Sequence, residues 1–297
     1  MFKRPYKPMN RTYKFLLCLM CLSTAPLMAR TYDMPADSER VQVQPLTPEQ
    51  KLRADRLISI FENSTMTLQY GYIEDIKDGR GYTAGRVGFC SATGDLLMVV
   101  ERYTQDRPSN ILAKYLPRLH ELASHADPST AGIEGLKADW PKAAQDPAMR
   151  AAQDFVADRL YYRPALQMAA KLGLRSPLAR VALYEAGIQH GYGDDPDGMA
   201  AMAHRATTAA GGTPASGISE SAWLLHFLEI RKSVLAHASN PDTQAGWAES
   251  QERADVMLRI FKSGNMDFNG PIPIDVYGDH YTLRSPHHLR PVRCMLP

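Results

Sequence analysis

The 297-residue chain carries 34 Lys/Arg against 32 Asp/Glu, a formal net charge of +2, with 44% hydrophobic and 22% charged residues. This is the composition of an ordinary globular protein, long enough for one large domain or two lobes. Beyond the N-terminus no apolar run reaches membrane-spanning length, which excludes a transmembrane helix from the mature chain.

Residues 1–29 read as a secretory signal. Lys3, Arg4, Lys7, Arg11 and Lys14 form a basic start, and Phe15 to Ala29 is a short apolar run ending in small residues. Cleavage after Ala29 is expected, and an uncleaved anchor is the alternative. Cys18 follows leucines where a lipoprotein site needs small residues. Removal takes away five Lys/Arg and no Asp/Glu, so the formal charge moves from +2 to −3. The product is expected outside the cytoplasm, extracellular or periplasmic, with no membrane attachment. A mildly acidic protein argues against nucleic acid as a partner and suits a cationic substrate. Cys18 and Cys21 leave with the signal. Cys90 and Cys294 remain and either pair or stay two separate thiols.

Residues 30–46 are polar and without periodicity, an N-terminal arm. Thr47-Pro48-Glu49-Gln50 then starts a helix, with Thr47 as cap, Pro48 at the first position and Gln50 completing a capping box. Leu57, Ile58 and Phe61 follow at helical spacing, Glu62 ends the helix, and Asn63 and Ser64 terminate it. Residues 68–90, with glycine at 79, 81, 85 and 88, predict short strands and tight turns. Leu96, Leu97, Val100 and Tyr103 mark a helical face. The segment from Ser109 to His125 predicts another helix, capped by Ser109. Further helices are predicted near 149–160, 177–190, 197–210, 218–238 and 247–263. The end, from Asn269 on, reads as loop with one short strand. There is no repeat and no low-complexity run. The fold class is mainly α (α+β), and residues 47–297 form one catalytic domain of two lobes.

Several chemistries have no signature here. There is no phosphate loop, dinucleotide fingerprint, nucleophile elbow or HExxH pair, so neither cofactor nor metal is expected. His287-His288 lie in a basic, Pro-flanked tail that reads as solvated. "DDPDG" at 194–198 lacks the calcium-loop pattern and reads as a loop and helix cap. Cys90 has no activating neighbour in sequence and sits in an apolar setting.

Acid–base chemistry remains. Two positioned carboxyl groups can cleave a glycosidic bond, one protonating the leaving oxygen and the other activating water or attacking directly. Glu62, Glu74, Asp75, Asp78 and Asp95 are the candidates. Glu62 follows Phe61 at a helix C-terminus, where the dipole and partial burial both favour a retained proton, as a general acid requires. A nearby arginine would oppose them. Asp78, in the polar turn "KDGRG", is placed to stay ionised and face water, as a base must. Glu74 and Asp75 alternate along a strand and read as scaffold paired with arginine.

The stretch "ENS…QYGYIEDIKDGRGYTAGRVGFCSATGD" resembles the signature region of the chitosanases of glycoside hydrolase family 46. Later segments agree in order: "YEAGIQHGYGDDP" at 184–196, "FLEIRKS" at 227–233, "FKSGNMDFNGP" at 261–271 and "VYGDHY" at 276–281. The resemblance implies an exported, endo-acting hydrolase of β-1,4 links between glucosamine units. It implies inversion, and a two-lobed, mainly helical, lysozyme-like fold with a small β-sheet and a substrate cleft between the lobes. Residue by residue, Glu62 matches the general acid, Asp78 the general base, and Thr83 the hydroxyl that positions the water. Arg80, Asp95 and His190 match cleft residues that bind substrate, with Asp95 on a glucosamine amine. Glu185, Arg231 and Arg253 match an ion network behind the acid, with Arg259 as the alternative to Arg253. Glu185 stands where well-known members carry aspartate, and the interval from Glu62 to Tyr70 is shorter than theirs.

The implied substrate is chitosan, and a monomer is expected. Glucosamine lacks the acetamido oxygen that could act as an internal nucleophile, so an enzyme base with water fits. Its amines are cationic in mild acid and suit carboxylates. Two alternatives stand beside this reading: a lysozyme-like hydrolase of peptidoglycan or chitin, and a non-catalytic chitosan-binding paralogue. Retention of both Glu62 and Asp78 argues against the last.

Overall fold

Thr47 starts the first helix, α1 (Pro48–Asn63), as the capping box predicts: its hydroxyl accepts from Gln50 N while Gln50 Oε1 accepts from Thr47 N at 3.0 Å. The computed structural model describes residues 44–284; the signal segment, the arm before Gln44, Cys294 and the His287–His288 tail lie outside the described residues. One face of α1 buries Leu57, Ile58 and Phe61, each worth about 1.5–3 kcal/mol on burial. Ser64 stops the helix in the left-handed region at φ 50°, its N–H bonded to Ile60 O.

A three-stranded antiparallel sheet follows: β1 (Ile73–Asp75), β2 (Tyr82–Ala84) and β3 (Phe89–Cys90), in that order. Glu74 pairs with Thr83, and Thr83 with Cys90. Helices α2 (Asp95–Asp106) and α4 (Leu136–Ala143) pack on this sheet, and α3 (Leu116–His125) and α5 (Pro147–Ala157) pack against α2. Their shared core holds Phe89, Leu96, Val100, Leu119, Trp140 and Val156. After α5 the chain passes through a π-helical turn, Asp158–Tyr162, straight into α6 (Arg163–Leu172).

Then come α7 (Pro177–His190), α8 (Met199–Ala210), α9 (Glu220–Ala236), α10 (Pro241–Glu249) and α11 (Gln251–Lys262), and a hairpin of β4 (Ile272–Val276) and β5 (Asp279–Leu283). With α1 and α6 they enclose a second core containing Phe61, Leu183, Trp223, Phe227 and Met257. Two cores make two lobes, with Tyr161 and Ile188 packed against both. With 59% helix among the described residues the class is mainly α, and the fold is lysozyme-like. No helix among the described residues is long and apolar enough to cross a membrane.

Three local expectations change. The helix expected from Ser109 begins only at Leu116, after a 3-10 turn at Ala113–Tyr115. Asn110 Oδ1 accepts from Leu112 N at 2.8 Å, an Asx turn that competes with helix start. Helices α4, α6 and α10 are not among the predicted elements; the single helix expected over 247–263 is α11, with α10 (Pro241–Glu249) before it. The end is a two-stranded hairpin rather than a loop with one strand. Tyr277 (φ 54°) and Gly278 (φ 79°) form its turn; tyrosine in a left-handed position hides the usual hairpin signal.

Candidate active site

Glu62 sits in the last turn of α1, beside the face that Phe61 buries, and its side chain is 5% exposed. Arg253, fully buried on α11, places Nη1 2.7 Å from Glu62 Oε1 and lies over the Phe61 ring. Its Nε donates to Glu185 Oε1 at 2.8 Å. Arg231 on α9 donates to both oxygens of Glu185 and, at 2.8 Å, to Gln189 Oε1. Gln189 donates onward to Ser250 Oγ at 2.6 Å. The network of Glu185, Arg231 and Arg253 thus closes behind Glu62. Burial favours the neutral form of Glu185, but Arg231 and Arg253 more than offset it and hold this carboxyl below its usual range. Arg259, the alternative, instead reaches Asp275 O on the exposed surface.

His190 does not line an open cleft wall. It is 4% exposed, with its ring edge-on to Trp247. Nδ1 lies 3.0 Å from Asp197 O and so carries the proton, leaving Nε2 to accept from Arg231 Nε at 3.4 Å. Burial first, and Arg231 second, push its pKa well below the usual 6.5. The ring is a neutral, buried part of the ion network through Arg231. Asp197 carries the loop of the "DDPDG" segment: its Oδ2 accepts from Ser239 N and Oγ at 2.6 and 2.7 Å.

Asp78 lies in the turn between β1 and β2, where Lys77 (φ 61°), Gly79 (φ 80°) and Gly81 (φ 75°) all take positive φ. Arg80 closes on it from two residues away. Arg80 N donates to Oδ1 at 3.1 Å and Nε to Oδ2 at 2.7 Å, with Nη2 at 2.5 Å from Oδ2. The Asp78 side chain is consequently only 3% exposed. The expected water-facing base is covered by its own neighbour. Thr83 on β2 is 1% exposed, its hydroxyl 3.5 Å from Cys90 Sγ.

Asp95 opens α2. Its Oδ1 accepts from Cys90 N (2.8 Å), Thr93 Oγ1 (2.6 Å) and Leu96 N (3.1 Å). Its Oδ2 has no hydrogen-bond partner among the described residues. Burial raises its pKa, opposed by these bonds and by Arg80. Asp78, Arg80, Thr83 and Asp95 all act on the Cys90 thiol, so the structure does bring them together. Cys90 itself is a buried free thiol pushed up to about 12, first by burial and then by Asp95. It is protonated and no nucleophile.

Glu74 and Asp75 pair differently from expectation. Glu74 accepts from Tyr72 Oη, and Asp75 from Lys77 N and Nζ rather than from arginine. Gln189 and Tyr277 were missed. The Tyr277 hydroxyl is buried without a hydrogen-bond partner among the described residues, in the electrostatic reach of Arg253 and Glu62. Only their membership in long-range tertiary contact marks them, which no local pattern reports.

A pocket between the lobes is lined by Glu62 and Asn63 on one side and by Tyr72, Gly85, Arg86, Val87 and Gly88 on the other. The profile of glycosyl hydrolase family 46 matches residues 56–272, which span these residues. A chitosanase of Bacillus subtilis (strain 168) is 48% identical over 237 residues, covering 80% of this chain and 86% of that protein. A chitosanase of Streptomyces sp. (strain N174) is 43% identical, covering 80% of this chain and 83% of its own length. The chitosanase of Gynuella sunshinyii in complex with chitotetraose superposes with a TM-score of 0.74 at 51% identity, over 80% of this chain and 98% of that one. A variant chitosanase from Bacillus subtilis MY002 with six GlcN units superposes at 0.75 and 45% identity, over 80% of this chain and all of that one.

Proposed function

This chain belongs to glycosyl hydrolase family 46, and we propose that Glu62 and Asp78 carry its hydrolysis of chitosan as general acid and general base. The enzyme is an endo-acting chitosanase that cuts β-1,4 links between glucosamine units with inversion. The observation that carries the assignment of the acid is Glu62 itself, a helix-end carboxyl that lines the inter-lobe pocket and is backed by a buried ion network; Asp78, the turn carboxyl clasped by Arg80, follows from its match to the family's general base.

Glu62 gives its proton to the glycosidic oxygen as the bond to the anomeric carbon breaks. The carboxylate left behind meets Arg253. Glu62 and Glu185 then balance Arg253 and Arg231, two negative charges against two positive, inside a buried site. The network therefore favours the state reached after proton transfer. On the opposite face Asp78 takes a proton from water as its oxygen attacks. For that, Arg80 must leave Asp78, and a sugar hydroxyl or ring oxygen offers the guanidinium another acceptor. Arg80 thus couples occupancy of the cleft to release of the base, and Thr83 holds the water once it enters. The free Oδ2 of Asp95 accepts a glucosamine ammonium, a charge-assisted bond that also offsets the cost of burying this carboxylate. His190 supports Arg231 and does not touch substrate.

We also propose that the protein acts outside the cytoplasm as a monomer once residues 1–29 are removed, which N-terminal sequencing and sedimentation of exported protein test. The central test is NMR of the first product from highly deacetylated chitosan. The α-anomer is expected; the β-anomer would mean retention and a nucleophilic Asp78. Release of reducing ends from bacterial cell walls in place of chitosan would favour the peptidoglycan reading.

A further inference from the structure

We propose that Arg86 is a positioning residue of this reaction: it latches the acid-bearing helix to the base-bearing sheet and so sets the gap in which water attacks. Arg86 follows β2 directly, three residues after Thr83, and is 3% exposed. Its Nη2 lies 2.8 Å from Asp55 Oδ1 and its Nε 3.1 Å from Asp154 Oδ1. Its backbone N donates to Gln153 Oε1 at 3.1 Å. Gly85 permits this approach, because a Cβ there would come within 2.4 Å of the same oxygen.

Each partner belongs to a different part of the molecule. Asp55 is on α1, seven residues before Glu62 and on the same helix face. Asp55 Oδ1 also accepts from Tyr184 Oη of α7 at 2.9 Å. Asp154 is on α5 and accepts from Tyr70 Oη at 3.0 Å. Lys51 spans Asp55 and Asp158, each at 2.9 Å, and Asp158 opens the π-helical turn joining α5 to α6. One guanidinium therefore ties the sheet to helices of both lobes beside the turn that connects them. The other described contacts packed on both cores, Tyr161 and Ile188, are apolar or largely so. Apolar contact is non-directional and sets no distance, whereas two carboxylates at 2.8 and 3.1 Å from one buried guanidinium fix its position by charge, although Nε and Nη1 make no hydrogen bond among the described residues.

The consequence is chemical. Inversion needs the two carboxyl groups about 6.5–9.5 Å apart, with water between. Glu62 rides on α1 and Asp78 on the turn that joins β1 to β2, so the Arg86–Asp55 pair is the strut across that gap. Arg86 and Glu62 also line the same pocket. The inference rests on the acid and base assignment above, and its test separates the two.

Spin labels are placed at Glu121→Cys on α3 and His280→Cys on β5, exposed sites of the two lobes at 60% and 82%. Cys90 is buried and stays unlabelled, and the labelled background carries Cys294→Ser so that the two introduced thiols alone react. Arg86→Met is expected to shift or broaden the interlabel distance and to lower kcat on the order of 10²-fold, with KM little changed. Arg86→Lys restores much of both. Asp154→Asn, at a position 47% exposed, gives a smaller change of the same kind and carries the test if Arg86→Met does not fold. Unchanged distance and kcat in the folded variants, with only a lowered Tm, overturn the latch. Glu62→Gln leaves the distance unchanged, so a wrong acid and a wrong latch give different results.

Discussion

The two sides of the cleft hold their carboxyl groups by opposite means. Glu62 is fixed by residues far away in sequence: Arg253 on α11, then Glu185 on α7 and Arg231 on α9, all fully buried. Asp78 is fixed by its own turn, with Arg80 two residues on. The acid side is a rigid product of the folded lobe. The Asp78 side is a local clasp made within one turn, which on the proposed reading a ligand opens without disturbing any core. An acid must keep one geometry and have its charge stabilised after transfer; a base must be released to water. On the proposed assignment of acid to Glu62 and base to Asp78, the difference in construction follows the difference in task.

The largest expected effect removes the chemistry on either side. Glu62→Gln and Asp78→Asn each lower kcat by about 10²- to 10⁴-fold, while thermal unfolding and circular dichroism stay close to those of the parent. Near-normal release of reducing ends by either variant would break the comparison at its root.

That prediction was reachable from sequence because both carboxyl groups sit in locally coded places. The capping box from Thr47 and the stop at Ser64 locate the end of α1, and the glycines at 79 and 81 locate the turn. The partners were not locally coded. Arg253 and Arg259 are equivalent by pattern, six residues apart on one helix. Only packing shows that the first points to Glu62 and the second to Asp275 O. The partners of His190 are equally invisible in sequence: Trp247 meets its ring edge-on and Asp197 O lies against Nδ1 only once the chain is folded. Arg86 had no signal at all, since Asp55 and Asp154 lie on helices from different lobes.

The next effect separates the sides by stability. Arg253→Met takes from Glu62 its buried cationic partner and leaves Arg231 alone against Glu185, which is expected to cost about 3–5 kcal/mol, seen as a lower midpoint in urea. Arg80→Met breaks a local pair and costs about 1 kcal/mol, yet it weakens activity on chitosan. Similar destabilisation by both would mean that the base side is as deeply built as the acid side.

A pH experiment probes the acid side alone. The unfolded chain protonates His190 near 6.5, whereas burial and Arg231, aided by Arg253 and Arg205, keep the native ring neutral well below that. Below about pH 6.5 the unfolded state therefore binds the extra proton, and stability falls as pH falls toward the native pKa. The slope from this group is at most about 1.4 kcal/mol per pH unit. His190→Gln, which removes the titration, should flatten the urea-midpoint profile between about pH 6.5 and 5. An unchanged slope would place the ring's protonation elsewhere.

The smallest effect tests how local the clasp is. Gly79 and Gly81 flank Arg80 with the same left-handed backbone, at φ 80° and 75°. A Cβ on Gly79 meets nothing within 4 Å, whereas one on Gly81 would approach Ser91 Oγ to 2.2 Å and Pro128 O to 3.1 Å. Gly79→Ala should then cost only the backbone term, about 1 kcal/mol, and Gly81→Ala more, because Ser91 Oγ also accepts from Tyr82 N at 3.0 Å. If the turn is an independent clasp, Gly79→Ala changes activity more than stability, since it stiffens Asp78 and Arg80 without touching a core. If instead both glycine variants destabilise equally, the turn is tied to the sheet through more than Ser91, and the base side is less local than its hydrogen bonds indicate.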